Sequence, residues 1–149
     1  MRKLIVSSSL VLALVMISSC FVWSADAPAS LYKRLGGYDA LAAVTDDFVG
    51  RLAADPSLSR FFVGHSTDSL HKIRGHIIDF LCVATGGPCT YSGRDMKTAH
   101  AGLGITGADW DASVKHLVET LDKFKVPEKE KGEVLAAISG LKKDIVEKP

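Results

Sequence analysis

Gly86-Gly87-Pro88-Cys89-Thr90-Tyr91-Ser92-Gly93-Arg94-Asp95-Met96-Lys97-Thr98-Ala99-His100-Ala101-Gly102-Leu103-Gly104-Ile105 is the stretch that decides the fold. Its first ten residues are rich in Gly, Pro, Thr and Ser and form a loop. A short helix fits Met96 to Ala101, and Gly102 and Gly104 break it. His100 stands at the end of that helix with glycines on both sides. Neutral imidazole is the commonest protein metal ligand, and this placement offers one ring nitrogen to a metal. A capping or core histidine would look the same in isolation.

Working outward, every long periodic segment is helical. Tyr38 to Ala54 carries Leu41, Val44, Phe48 and Leu52 at three- and four-residue spacing. It stops at Asp55-Pro56, because the residue before a proline leaves the helical region. Leu58 to Phe62 forms a short turn. The next helix starts near Ser66-Thr67-Asp68, which offers capping oxygens. Its stripe is Leu70, Ile73, Ile77, Phe80 and Ala84, and Gly86-Gly87-Pro88 ends it. Thr106 caps a helix with the stripe Trp110, Val114, Leu117, Leu121 and Phe124. A last helix opens with Pro127, tolerated in a first turn, and carries Val134, Ile138, Leu141 and Ile145. No strand-like alternation follows residue 30. The fold class is all-α, in one domain covering 31–149, with four substantial helices and two or three short ones.

The first nineteen residues do not belong to that domain. Met1-Arg2-Lys3 is basic, and Leu4 to Ile17 is apolar apart from three serines. That length suits a signal-peptide core and is short for a membrane span. Ile17-Ser18-Ser19-Cys20 resembles a bacterial lipoprotein cleavage box, which predicts a lipidated Cys20, a tether over 20–30 and a membrane-anchored periplasmic protein. The alternative is cleavage near Ala25 and a soluble periplasmic protein, although Trp23 then occupies a position that prefers a small side chain. Without residues 1–19 the chain has 16 basic and 17 acidic residues, a net charge of −1. Nucleic acid, which needs a concentrated basic surface, is not an expected partner.

If Cys20 carries lipid, Cys82 and Cys89 remain. Export places them in an oxidising compartment where paired thiols tend to close. The alternative is a buried Cys82 and an exposed Cys89 thiol. A bond between them would stabilise the fold by ~2–3 kcal/mol in the chain-entropy model.

Four features now stand in order: Leu31-Tyr32-Lys33-Arg34-Leu35-Gly36-Gly37, Asp47-Phe48, Phe61-Phe62, and Gly86-Gly87-Pro88 through His100. As a set they resemble the truncated haemoglobins, group I, over Leu31 to Val146. The resemblance implies a two-over-two helical sandwich around haem b, bound non-covalently. His100 matches the proximal iron ligand. Phe48 and Phe62 match positions where aromatic rings meet the porphyrin, and Met96 and Ile105 match apolar positions on the proximal side. Arg94 and Lys97 are the candidate cations for a haem propionate, since cations pair well with carboxylates; the other reading of each is a solvated surface charge, and for Arg94 that reading is preferred. A covalent c-type haem is disfavoured, because Cys82 and Cys89 lack the Cys-x-x-Cys-His spacing.

The distal side departs from the family pattern. A tyrosine that often holds the bound ligand is replaced by Val49. Polar positions on the third helix correspond to Ile73 and Ile77. One polar side chain remains on that face, His76, three residues after Ile73 and four before Phe80. A histidine at the matching position binds iron as a sixth ligand in some cyanobacterial members. The other reading of His76 is a solvated histidine near the haem edge. His65, His71 and His116 carry surface or structural readings.

These residues imply an exported haem globin that reversibly binds oxygen, nitric oxide or another diatomic ligand. Without the distal donor, oxygen loss should be fast and nitric-oxide dioxygenation weak; no catalytic residue is assigned. The alternative is a bis-histidyl haem protein for electron transfer or gas sensing, with a redox partner. A third reading is a surface lipoprotein that uses the scaffold without haem.

Overall fold

The computed structural model describes residues 28–148. The leader over 1–19, Cys20 and the cleavage alternative near Ala25 lie outside the described residues, as does most of the tether. The described residues form seven α-helices: α1 Leu31–Arg34, α2 Gly37–Ala54, α3 Thr67–Ala84, α4 Met96–His100, α5 Gly107–Lys123, α6 Glu128–Ser139 and α7 Lys142–Ile145. A 3-10 turn, Ser59–Phe61, links α2 to α3. The one β-bridge among the described residues joins Thr106 to Lys148.

Helix α2 is the centre of the sandwich. Its Val44 meets Leu117 and Leu121 of α5 and Val134 of α6, with Phe48 packed against that cluster. Its Leu41 meets Ile78 and Cys82 of α3. Polar ties reinforce this arrangement. Asp47 of α2 accepts hydrogen bonds from Arg51, from Lys123 and, at 3.0 Å, from the buried Thr120 of α5. The Arg51 and Lys123 bonds hold the Asp47 carboxyl down to about 2. Arg34 ties α1 to Glu130 and Glu133 of α6.

Helix boundaries follow local chemistry. Ser66 caps α3 and Thr106 caps α5, the latter in a full capping box with Asp109. Burial raises the Asp109 carboxyl, but the Thr106 amide and Arg60 outweigh it and hold it below the usual carboxylate range. Three sequence expectations need correction. Phe124 lies beyond the end of α5 and is 39% exposed, with the Lys123 ammonium over its ring. The final helix is two helices separated at Gly140-Leu141, because Gly140 is a poor helix former. Pro127 stands just before α6 rather than within it.

Helix α3 has two apolar faces where the sequence suggested one. Ile78 and Cys82 are completely buried against Leu41. Ile73, Ile77 and Phe80, on the other side of the helix, are only half-buried, and Ala84 is exposed. The expected core stripe is therefore the less sealed of the two. Its shift reflects a helix packed on α2 by its back while its front faces a different part of the molecule.

Candidate haem site

His100 ends α4, a helix built from one turn. Asp95 caps it, accepting from the Thr98 amide at 2.9 Å and the Thr98 hydroxyl at 2.7 Å. These bonds keep the Asp95 carboxyl below its ordinary range. The His100 ring is half-buried, and its Nδ1 lies 2.8 Å from the Met96 carbonyl oxygen. A carbonyl only accepts, so Nδ1 carries the proton. In a neutral imidazole the other nitrogen, Nε2, then keeps its lone pair. This is the tautomer a metal-binding histidine adopts when a carbonyl partner orients it.

The chain leaves α4 through Gly102 and Gly104, whose φ angles are +81° and +66°. Side chains are strained in that region, which accounts for both glycines. The Gly102 and Gly104 amides donate to the two carboxylate oxygens of Glu147 at 2.6 and 2.5 Å. Those two bonds hold the Glu147 carboxyl below its ordinary range. Ile105 follows and is buried, while Met96 is half-buried.

The loop before α4 folds back on the front of α3. The Tyr91 ring meets Phe80 edge-on at 5.5 Å and His76 edge-on at 6.1 Å. Its hydroxyl donates to the Arg94 carbonyl at 2.6 Å. Burial and the nearby Asp95 charge raise the Tyr91 phenol above its ordinary value. The ring lies so close over Gly93 that a Cβ there would stand 2.4 Å from the hydroxyl oxygen. Upstream, Cys82 and Cys89 form a disulfide with Cα atoms 5.9 Å apart, fixing the loop to the end of α3.

The remaining sequence candidates are spread over the helices, the turn and the loops. Val49, Phe62, Ile73 and Ile77 are half-buried apolar side chains on α2, the turn and α3. His76 is exposed apart from its contact with Tyr91, and Lys97 and Arg94 are exposed. Phe48 packs on the Val44–Leu117 cluster, so its ring is part of the core as well. His116 has a structural role: its Nε2 is 2.9 Å from Asp55 and its Nδ1 is 3.5 Å from Glu119. His65 and His71 are exposed.

Sequence reasoning passed over Tyr91 and Glu147. A lone aromatic residue in a loop of small residues was the available signal for Tyr91. Glu147 gave none, since its partners are backbone amides more than forty residues earlier.

A family profile described as bacterial-like globin matches residues 30–147. The group 1 truncated hemoglobin GlbN of Mycolicibacterium paratuberculosis is 38% identical over 118 residues, covering 79% of this chain and 85% of that protein. The Synechocystis protein of the same name is 36% identical over 116 residues, covering 75% and 90%. Among solved structures, the Fe(III) form of truncated hemoglobin from Tetrahymena pyriformis superposes with a TM-score of 0.72 at 30% identity, covering 79% of this chain and 98% of that one. The Synechococcus 2/2 hemoglobin, in the cyanomet state with covalently attached heme, gives 0.72 at 32% identity with the same coverage.

Proposed function

Because this chain belongs to the bacterial-like globins, as a group 1 truncated haemoglobin and a haem-binding globin, we propose that it holds haem b non-covalently through His100 and reversibly binds oxygen or nitric oxide. The observation that carries this reading is the His100 Nδ1–H bond to the Met96 carbonyl, which leaves Nε2 free to ligate. The residues fit the group in two further ways. Phe62, Ile73, Ile77 and Met96 offer half-buried apolar surface of the kind a porphyrin face covers. Exposed Lys97, three residues before His100, and Arg94 supply cations for propionates.

When bound, haem supplies an iron atom able to coordinate a diatomic ligand. The protein orients the His100 ring, excludes water with apolar side chains and sets the polarity of the ligand side. Val49, Ile73 and Ile77 offer no hydrogen-bond donor. A buried hydrogen bond to a polarised ligand contributes on the order of 1–3 kcal/mol. Oxygen release from the ferrous protein should therefore be fast and affinity modest, with weak nitric-oxide dioxygenation. Slow oxygen release in stopped-flow measurements would overturn that part of the reading.

A second reading is supported by His76. It shares a face of α3 with Ile73, Ile77 and Phe80, and Tyr91 contacts its ring from the loop that leads to His100. His76 would then be a sixth iron ligand, suiting electron transfer with a redox partner or gated entry of a gas. Visible spectra of the ferric and ferrous protein separate the two readings. Low-spin bands that vanish in His76→Ala support bis-histidyl ligation, and a high-spin ferric wild type removes it. Loss of the Soret band in His100→Ala supports His100 as the proximal ligand; an unchanged ferrous spectrum in that variant would overturn it.

Export to the periplasm is part of this function. The Cys82–Cys89 bond supports an oxidising compartment. The disulfide fits either exported form; the Ile17-Ser18-Ser19-Cys20 box, set against the bulky Trp23 before the other cut, favours an anchored lipoprotein over release near Ala25. Fractionation with and without Cys20→Ser distinguishes the two, and an uncleaved cytosolic chain would refute both.

A further inference from the structure

We infer that Glu147 is a positioning residue for the proximal ligand: its carboxylate straps the chain segment that follows His100 and so fixes where the imidazole stands. The inference rests on the reading of His100 as the iron ligand.

The segment from Ala101 to Ile105 leaves α4 with little packing of its own, and Ala101, Gly102 and Leu103 are exposed. Six hydrogen bonds hold it, five of them made with residues 147–148. The Gly102 amide donates to one oxygen of Glu147 and the Gly104 amide to the other. The Glu147 and Lys148 amides both donate to the Ile105 carbonyl, at 2.9 and 3.1 Å. The Gly107 amide donates to the Lys148 carbonyl at 3.0 Å, and the Leu103 amide closes back on the His100 carbonyl at 3.2 Å. The last of these ties His100 itself into the strapped loop.

The chemistry of the two carboxylate bonds is specific. Both glycines have positive φ, which turns their amides toward one side, the arrangement in which backbone N–H groups collect an anion. An ionised carboxylate is acceptor-only and satisfies both amides at once. A glutamine keeps one acceptor and turns an NH2 toward the second amide. Only Ala101 separates His100 from Gly102, so a displacement of the strapped loop reaches the backbone of His100 directly. The carbonyl of Met96 orients the ring from the N-terminal side, and the Glu147 strap fixes the backbone on the C-terminal side. Groups that hydrogen-bond a ligating side chain directly change metal affinity by roughly 10–100-fold when removed; Glu147 acts one step further out, through the backbone, so the low end of that range applies to it.

The test uses full-length haem-loaded protein in the His76→Ala background, which leaves ferrous iron with one protein ligand. Glu147→Ala should shift or broaden the iron–histidine stretching band in resonance Raman spectra. It should also speed haem transfer to an excess of a haem-scavenging acceptor by about tenfold. Glu147→Gln, isosteric and able to keep one bond, should fall between. Glu133→Gln, which weakens the remote Arg34 ion pair, serves as the control: it should alter melting alone. If Glu147→Ala fails to fold, Glu147→Gln carries the same readouts. An iron–histidine band and a haem-loss rate equal to the parent in both Glu147 variants would overturn the proposal, even where the Gly102 and Gly104 amides exchange faster. A parent protein whose band survives His100→Ala would instead refute the reading of His100.

Discussion

Helix α5 buries Asp109, Trp110, Leu117, Thr120 and Leu121, whereas α4 buries none of its five residues. The first is held by packing against α2 and α6 and by ion pairs through Asp47. The second is held at its ends: by Asp95 at the start, by the Glu147 strap beyond its finish, and by its contacts with α7. Core packing resists change in all directions and dominates global stability. Hydrogen bonds at the ends of a one-turn helix contribute little to global stability, but they are directional. The side chain carried on such a helix is therefore aimed by polar contacts that substitutions can alter one at a time.

The largest effect expected from this division is in the packed half. Ile78→Ala removes a side chain with no exposed surface from the contact with Leu41 and Cys82. It should cost about 2–5 kcal/mol in chemical denaturation. The spectrum of the folded fraction should stay that of the parent, because Ile78 faces away from Ile77 and Phe80. A changed spectrum at full folding would mean that the two faces of α3 are coupled.

Opening the Cys82–Cys89 bond comes next. Loop-closure entropy for a separation of seven residues gives about 2.5 kcal/mol. Since the bond fixes the loop that carries Tyr91, the double Cys→Ser variant should also expose the Tyr91 ring. Tyrosine fluorescence or proton chemical shifts of the His76–Tyr91 pair would report this. Unfolding at the wild-type midpoint would contradict the estimate.

Asp47→Asn sharpens the comparison through pH. The variant weakens charge-assisted bonds to Arg51, Lys123 and Thr120, and should cost about 1–3 kcal/mol at neutral pH. The folded carboxyl is held down to about 2, below its unfolded value. Its contribution is then complete above the unfolded value near 4 and disappears as pH falls toward about 2. The gap between wild type and variant should close over that window. A gap that persists at pH 2 would assign the effect to altered packing.

Most of the fold was legible in the sequence because its signals are local. Ser66, Thr106, Gly86-Gly87 and Asp55-Pro56 mark helix ends through capping and backbone restrictions that act over a few residues. The apolar period then supplies the helices between them. The two faces of α3 were not separable, since Ile77 and Ile78 are chemically alike and only the packed neighbours tell them apart. His100 stood out as a candidate ligand through its glycine-flanked segment, and the family resemblance rested on the same local motifs. Tyr91 over His76 and Glu147 against Gly102 and Gly104 were not legible, because each depends on a return of the chain that leaves no periodic trace. Phe124 and Gly140 misled in the opposite way: the apolar period runs through both, and it does not register where a helix stops.

The smallest effect is also the most discriminating, because it compares two caps of similar chemistry. Thr106 caps α5 and Asp95 caps α4, each accepting from the amide three residues on. Replacing either by alanine should cost about 1 kcal/mol of helix stability. For Thr106→Ala the loss should appear in the global transition, because α5 cannot unfold without opening the Leu117–Leu121 core, and the haem spectrum should not move. For Asp95→Ala the global transition should barely shift, since α4 can fray while α2, α3 and α5 stay packed. The fraying would instead loosen Met96, whose carbonyl orients His100, so the Thr98 amide should exchange faster and the haem bands should broaden. Asp95→Asn retains a capping oxygen and should restore both. If the two alanine variants lower the melting temperature equally and neither changes the spectrum, α4 is part of the same cooperative unit as α5, and its end contacts do not set the histidine.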